Sequence, residues 1–313
     1  MKSLQRIIHR IRSQPNTPWA LATLVETKGS TYRKPGARLL ADAIGETCLG
    51  VLSGGCLEEE VAAHAAEIIR GAPPQLLNFD TRRLYGCDGV VRILVEKLPA
   101  IADGDNLLDH LGYALDLREC RRIATNFQGS QLGSRLLAPD ELVVEQSGTF
   151  VHAVPLPVRL LLFGTGPEIE PLHQIAETLG WITQPFRHPS ELSDDFRVDS
   201  QTGALVMTHN FGRDLAALDR LLPLNLRYLG LLGPRKRHRQ ILAQLTELGR
   251  LDPTTLSSLH SPAGLDIGSE SPEEIALAIA SEVAAVLADR HGGHLRERAT
   301  AIHLAPTAER QVA

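Results

Sequence analysis

Aromatic residues are scarce, 4% of the 313-residue chain. That leaves little material for the ring platforms on which single-stranded nucleic acid stacks. A basic excess is missing too. The net charge of -5 and the isoelectric point near 6.2 argue against a general binder of nucleic acid or of membrane surfaces. No run approaches the ~20 apolar residues that a membrane-spanning helix needs. The four cysteines, Cys48, Cys56, Cys87 and Cys120, form no CxxC pair and no pattern of a small secreted scaffold. Free thiols in a reducing cytoplasm are therefore expected, and a structural zinc site is not. Met1 to Arg12 alternates Leu and Ile with Lys, Arg and His. This predicts an amphipathic helix and lacks the apolar centre of a signal peptide.

What the chain does contain is a thiol in an unusual setting. Cys56 follows Ser53-Gly54-Gly55 and precedes Leu57-Glu58-Glu59-Glu60. From there Leu57, Val61, Ala65, Ile68 and Ile69 fall on one helical face. The spacing puts Cys56 in a first helical turn, where unpaired backbone N–H groups favour a thiolate or a neighbouring anion. The glycines let a bulky ligand approach the backbone. A soft metal, a phosphate or sulfur chemistry would each suit such a place. Glu58 is a candidate proton carrier or metal-shell group. Cys87, between Gly86 and Asp88-Gly89, lies in backbone able to curl around an anion. Arg33 and Lys34, in a Gly/Pro-bounded loop, are candidate phosphate contacts, and Arg38 is unexpected in an apolar strand. Cys48 and Cys120 are expected in the core.

Hydrophobic residues, 43% of the chain, suffice for two cores, and the length suits two domains. Pro155-Leu156-Pro157 is the linker candidate, giving an N-terminal domain over 1–155 and a C-terminal one over 156–313. The fold class expected is α/β. The first half reads as an α+β domain with a mixed or antiparallel sheet. Its strands are placed at Trp19–Glu26, Ala37–Ala41, Cys48–Leu52, Gln75–Phe79, Val90–Glu96, Arg122–Asn126, Leu142–Glu145 and Thr149–Val154, and a helix at Asp105–Leu117. After the linker the texture becomes strand–helix alternation, the mark of a Rossmann-like parallel sheet. Helices are placed at Ile169–Leu179, Leu215–Leu222 and Pro234–Leu248. A last helix opens on the capping box Ser271-Pro272-Glu273-Glu274. The tail beyond Leu304 is expected to be disordered.

Gly164-Thr165-Gly166 between a strand and a helix is half of a dinucleotide fingerprint. Ile169 stands at the third glycine position, and Arg187-His188 stands where a ribose-reading acid belongs. Ordinary hydride transfer with NAD is therefore disfavoured, although the turn can still place a phosphate at a helix N-terminus. Arg235 and Lys236 begin the helix after Gly233-Pro234, where cations are unfavourable unless an anion joins them. His209 and Asn210 end a parallel strand, the usual place for ligands in open α/β sheets. Asp266, in the glycine-rich turn before the final helix, is expected to have a structural role there.

Several blocks together resemble one family. Gly29-Ser30-Thr31 with Pro35-Gly36-Ala37, Gly50-Val51-Leu52-Ser53-Gly54-Gly55-Cys56-Leu57-Glu58 and Gly86-Cys87-Asp88-Gly89 look like the N-terminal blocks of the xanthine dehydrogenase accessory factor (XdhC/CoxI) family. Phe163 to Gly166, Met207 to Asn210, Tyr228 to Lys236 and Pro262 to Gly268 with Pro272 to Ala276 resemble its later blocks, in the same order. The departures are Asp88 for a glycine, Pro167 and Ile169 in the Rossmann turn, and Arg187 near the family's Asp.

The resemblance implies a protein that binds the molybdenum cofactor (molybdopterin), assists its sulfuration by a cysteine desulfurase, and inserts it into an apo molybdenum hydroxylase. Xanthine dehydrogenase, aldehyde oxidoreductase and carbon monoxide dehydrogenase types are all open as targets. On this reading the chain is a cofactor chaperone and not a turnover enzyme, and a homodimer is compatible with it. The expected contacts are Ser53, Gly54, Gly55, Cys56, Glu58, Cys87, Arg33 and Arg38, with Gly164, Gly166, Arg235 and Lys236 in the second half. Cys56 and Cys87 are the candidates to touch molybdenum, with the Cys56 pocket expected to face a cleft between the halves. A nucleotide at the Rossmann-like turn is a further expectation. The alternatives are an NAD(P)-dependent oxidoreductase built on that turn, and a sulfur carrier with a persulfide on Cys56 or Cys87.

Overall fold

The computed structural model describes residues 1–29, 31–55, 57–80, 89–143, 147–251 and 259–299, and for Thr47 and Cys48 the backbone alone. The chain divides into two compact units that meet between Leu156 and Pro157.

The first unit is built on a five-stranded sheet with order β3-β2-β1-β5-β4. Its strands are β1 (Trp19–Gly29), β2 (Arg38–Ala41), β3 (Thr47–Gly50), β4 (Gln75–Asp80) and β5 (Gly89–Leu98). Every pairing is antiparallel, which decides between the mixed and antiparallel expectations. β-Strand side chains alternate between faces, and the alternation sorts this core. Ala20, Ala22, Leu24, Leu39, Ala41, Ile93 and Val95 pack against α2 (Glu58–Ile69) through Val61, Ala65 and Ile68. Trp19, Leu21, Leu40 and Leu98 pack on the other face, against α1 (Lys2–Ser13) and α3 (Leu107–Asp116). Each Leu, Ile or Val side chain among them contributes about 1.5–3 kcal/mol on burial. Asn106 starts α3 by accepting from the amides of Leu108 and Asp109, both at 3.1 Å, the ordinary capping arrangement.

A three-stranded antiparallel sheet, β7-β6-β8, completes this unit. It comprises β6 (Arg121–Asn126), β7 (Gly133–Leu136) and β8 (Thr149–Val154). The strand expected from Leu142 is not the partner of β6. Gly133–Leu136 takes that place, and Leu142 is 91% exposed in a turn held by Glu141, which accepts from the amide of Ala138 at 3.2 Å. Leu142 and Val143 are in no strand. Val144–Gln146 lie outside the described residues. Cys120 is also not where it was expected. It is exposed in the connection between α3 and β6, just after Arg118 at φ +60°.

The second unit carries a parallel sheet, β10-β9-β11-β12-β13. Its strands are β9 (Arg159–Phe163), β10 (Ile182–Phe186), β11 (Thr202–Val206), β12 (Tyr228–Leu231) and β13 (Leu259–His260). Numbered within the unit this is the order 2-1-3-4-5, one of the doubly wound topologies. On one face Leu160, Leu162 and Leu205 meet α4 (Ile169–Leu179) and α7 (Pro272–Leu287). On the other, Leu161, Phe163 and Leu231 meet α5 (Phe211–Leu221) and α6 (Arg235–Glu247). Burial on both faces explains the near-continuous apolar strands.

Gly50 ends β3 at φ +107°, and an added Cβ would lie 2.2 Å from the Arg38 carbonyl oxygen. Neither the dihedral nor the neighbouring backbone tolerates a side chain. Gly50→Ala is expected to destabilise the first unit by at least ~2 kcal/mol. The check is the thermal or denaturant midpoint of that unit, and an unchanged midpoint would show that the β2–β3 pairing relaxes freely.

Candidate functional site

Antiparallel pairing brings the motif-bearing loops of the first unit to one end of its large sheet. β1 ends where Gly29 faces Gly89, the first residue of β5. Asp80 at the end of β4 faces Val90. β2 begins with Arg38 opposite Thr23, and β3 ends with Gly50 opposite Leu39. The connections over 30–37, 51–57 and 81–88 therefore all leave the same sheet end. The strand ends that flank three sequence blocks lying far apart along the chain share one locality. Cys56, Cys87 and Ser30 themselves lie outside the described residues.

Around the diglycine a single carboxylate sets the geometry. Buried Glu58 accepts from the amides of Leu52 at 3.0 Å and Ser53 at 2.8 Å, and from the amide of Leu57 at 3.1 Å. The Ser53 hydroxyl donates to its other oxygen and accepts from the amides of Gly55 and Leu57, both at 3.2 Å. Residues on both sides of the Gly54–Cys56 stretch are thus tied to one side chain. Gly54 and Gly55 are exposed, and among the described residues nothing lies within 4 Å of where a Cβ would stand on either. Burial pushes the Glu58 carboxyl up, but the donors from Ser53, Leu52 and its own amide outweigh it. The net result lies below the ordinary value of 4.5. The amides of Leu52, Ser53 and Leu57 around the helix start already serve the protein's own carboxylate.

The cations separate. Arg33 and Lys34 are exposed in the loop between β1 and β2, whose Thr31 hydroxyl donates to the Arg33 carbonyl at 3.0 Å. Arg38 is 6% exposed and alternates with Leu39, so it points to the face away from α2. It shares the sheet end with Ser53 and Glu58 but not their side of the sheet.

In the second unit, Gly164 adopts φ +145° against the Met207 carbonyl. The space beside Gly166 is filled. A Cβ there would lie 2.4 Å from the Glu168 carboxylate and 2.7 Å from the His209 imidazole. Glu168 is 6% exposed and its carboxylate lies 3.3 Å from His209 Nε2. His209 itself sits at φ +56°. A negative side chain therefore stands where a dinucleotide would bring its pyrophosphate. Asn210 caps α5, accepting from the Arg213 amide at 3.0 Å.

At the start of α6, Arg235 and Lys236 are exposed. Arg237 instead donates to the Leu232 carbonyl at 2.8 Å and pairs with buried Asp214 at 3.3 Å. Lys236 and Arg237 line an open groove of about 500 Å³ with Phe211, Pro234 and Gln240.

Sequence reasoning did not find the acid that holds the Pro262–Gly268 turn. That acid is Glu282, which accepts from the Gly264 amide at 2.8 Å and the Tyr228 hydroxyl at 2.9 Å and lies 3.1 Å from His260. Asp266, the acid within the turn itself, is exposed. A lone acid inside the Ala-rich α7 was the available signal.

The model described as the XdhC and CoxI family matches residues 13–80, and the XdhC Rossmann domain matches residues 160–283. The chain belongs to the XdhC family. One relative in the family is a Bacillus subtilis protein named as a probable subunit of xanthine dehydrogenase, 27% identical across 84% of this chain and 91% of its own length. Another is the Escherichia coli molybdenum cofactor insertion chaperone PaoD, 26% identical across 85% of this chain and 82% of its own length. The fold is shared with a Bacillus halodurans protein solved under the name xanthine dehydrogenase. That match has a TM-score of 0.75 at 24% identity, and covers 92% of this chain and 97% of the other. No described helix is long and apolar enough to cross a membrane.

Glu58→Ala would strand buried amides at Leu52, Ser53 and Leu57, and a loss of about 3 kcal/mol is expected. In the wild type the carboxyl is held below its ordinary value. Its contribution is therefore complete above the ordinary carboxylate range and fades as pH falls through the lower folded value. Hydrogen exchange at the Leu52 and Ser53 amides should accelerate over that acid range. Protection that persists unchanged would contradict the assignment.

Proposed function

We propose that this chain binds the molybdenum cofactor as cargo, assists its sulfuration with a cysteine desulfurase, and delivers it to an apo molybdenum hydroxylase of the xanthine dehydrogenase type. The observation that carries the reading is the convergence of three family loops on one sheet end, with an exposed diglycine pinned at both flanks directly before Cys56. A relative's name, molybdenum cofactor insertion chaperone, points the same way.

The residues present fit parts of that cargo unequally. The open space at Gly54 and Gly55 suits a bulky planar guest. The amides of Leu52, Ser53 and Leu57 do not suit its phosphate, because Glu58 holds them. Exposed Arg33 and Lys34 from the neighbouring loop are the groups that would take the phosphate. Cys56 would meet the metal end, since thiolates suit thiophilic centres and the cargo supplies such a centre. Among the described residues no three His, Cys, Asp or Glu side chains are grouped to hold a metal ion. The contact would be a transient one made through the thiol, with Cys87 as the second candidate. A dinucleotide-dependent oxidoreductase is the weaker reading, because Glu168 and His209 fill the space beside Gly166.

The test is anaerobic purification from cells that make the cofactor, with molybdenum and pterin counted per chain. The wild type should retain both, and Cys56→Ser should retain at least roughly tenfold less, the equivalent of ~1.4 kcal/mol of binding. Wild-type protein that carries neither would overturn the reading. A Cys56 persulfide seen by mass spectrometry after incubation with a desulfurase, with no pterin bound, would favour the sulfur-carrier alternative.

A further inference from the structure

Between the two sheets of the first unit lies a polar cluster that the proposed function does not use. Arg38 from β2, Thr23 from β1 and Glu96 from β5 all point to the face covered by β6, β7 and β8, and they are 6%, 0% and 8% exposed. From the covering sheet come Thr125, Ser134 and His152. The amide of Ser134 donates to Glu96 Oε2 at 2.8 Å, and the hydroxyls of Thr125 and Ser134 lie 2.9 Å apart. The His152 ring packs against Gly36, whose carbonyl accepts from Arg38 Nη1 at 3.2 Å.

The cluster is left unsatisfied in a consistent way. Arg38 Nε and Nη2, Glu96 Oε1, Thr23 Oγ1 and His152 Nδ1 are all buried without a hydrogen-bond partner among the described residues. Nε and Nη2 form one edge of a guanidinium, two parallel donors matched to a planar pair of acceptors. Beside them stand an acceptor oxygen and a hydroxyl. Buried polar atoms of native proteins are almost always paired, and each unpaired one costs about 1–3 kcal/mol. Arg38 and Glu96 feel one another electrostatically, but the fork is not closed by Glu96.

We infer that this cluster is an internal binding site for a small carboxylate-class oxyanion. The Arg38 fork grips its two oxygens, and one proton is shared with Glu96 Oε1. The site lies on the sheet face away from α2, so it is independent of the cargo reading. With Glu96 protonated, the charge of Arg38 balances that of the guest. Arg38 remains cationic, although burial lowers it to about 10 against the pull of Glu96. His152 is neutral, since burial and then Arg38 lower it to about 4. Glu96 is raised by burial, against the donors from Ser134 and the charge of Arg38. A guest anion therefore enters with Glu96 protonated. The other groups around Glu96, from β1, β6 and β7, are the hydroxyls of Thr23, Thr125 and Ser134, which do not titrate.

The test is calorimetric titration of the full-length protein with formate and with acetate between about pH 5 and pH 8. One site per chain is expected, with affinity falling tenfold per pH unit once Glu96 loses its proton. Glu96→Gln, whose amide imitates the protonated acid, should keep binding and lose the slope. Arg38→Met should abolish binding. The wild-type series and Glu96→Gln decide the matter even if Arg38→Met fails to fold. Absence of saturable binding at millimolar concentrations, or a slope that survives in Glu96→Gln, would overturn the inference and leave bridging water as what satisfies these atoms.

Discussion

The conformation of the diglycine loop depends on one buried carboxylate. Glu58, with the Ser53 hydroxyl beside it, gathers the amides that precede and follow Gly54–Cys56. An exposed pair of glycines would otherwise sample many conformations, because glycine loses more conformational freedom on ordering than any other residue. The carboxylate replaces that freedom with a fixed turn while leaving the glycine faces open. This changes one element of the chemistry read from the sequence. A helix start favours a thiolate, but a fixed negative charge already sits among these amides and opposes a second one nearby. On the proposed function, selectivity for soft partners at Cys56 would then rest on sulfur chemistry more than on anion attraction.

The same device recurs in the other unit. Asp214, in the first turns of α5, returns to the amide of Thr208 at 3.2 Å, just as Glu58 returns to Leu52 at 3.0 Å. In each case an acid six residues further along satisfies an amide in the loop that follows a strand. Glu282 does comparable work over a longer separation for the Pro262–Gly268 turn. A strand leading to a helix through a short loop leaves donors exposed at both ends of that loop. A carboxylate at the helix start is well placed to collect them, with the helix dipole in its favour. The family blocks that looked like ligand-binding motifs are therefore also loop-closing motifs, and the acids in them have structural duties.

How much of this is legible in the sequence follows from what each feature depends on. α4 is read at its observed bounds, Ile169–Leu179, because periodicity and flanking turn residues are local signals. α7 announces itself through a capping box that the structure shows complete. β7 and β13 escape the reading because their existence depends on a partner strand; β13 is only two residues long and carries no period. At the site, local spacing locates Ser53, Gly54 and Gly55 in one loop and Glu58 at the helix start that follows it. It does not reveal that Glu58 points inward, or that Arg38 points to the opposite face, since both depend on which side of the sheet each helix covers.

Glu58 and Glu96 show how one residue type is driven in opposite directions by donor supply. Both carboxyls are buried, which by itself raises them. Glu58 is met by the Ser53 hydroxyl and several amides, and ends below 4.5. Glu96 has the donors of Ser134 and the charge of Arg38, one oxygen unpartnered among the described residues, and ends above it. The consequences for stability have opposite signs. The Glu58 contribution is present above its unfolded value and is lost as pH falls through its folded one. For Glu96, the neutral form is the favoured one in the fold, so its contribution is complete below the unfolded value and is lost as pH rises through the folded one. The first unit is therefore constrained from both sides, by a loop that needs its carboxylate charged and a sheet interface that favours its carboxyl neutral. Only a cationic neighbour with a free edge, such as Arg38, can reconcile ionised Glu96 with burial, and that same edge is what makes the interface receptive to an anion.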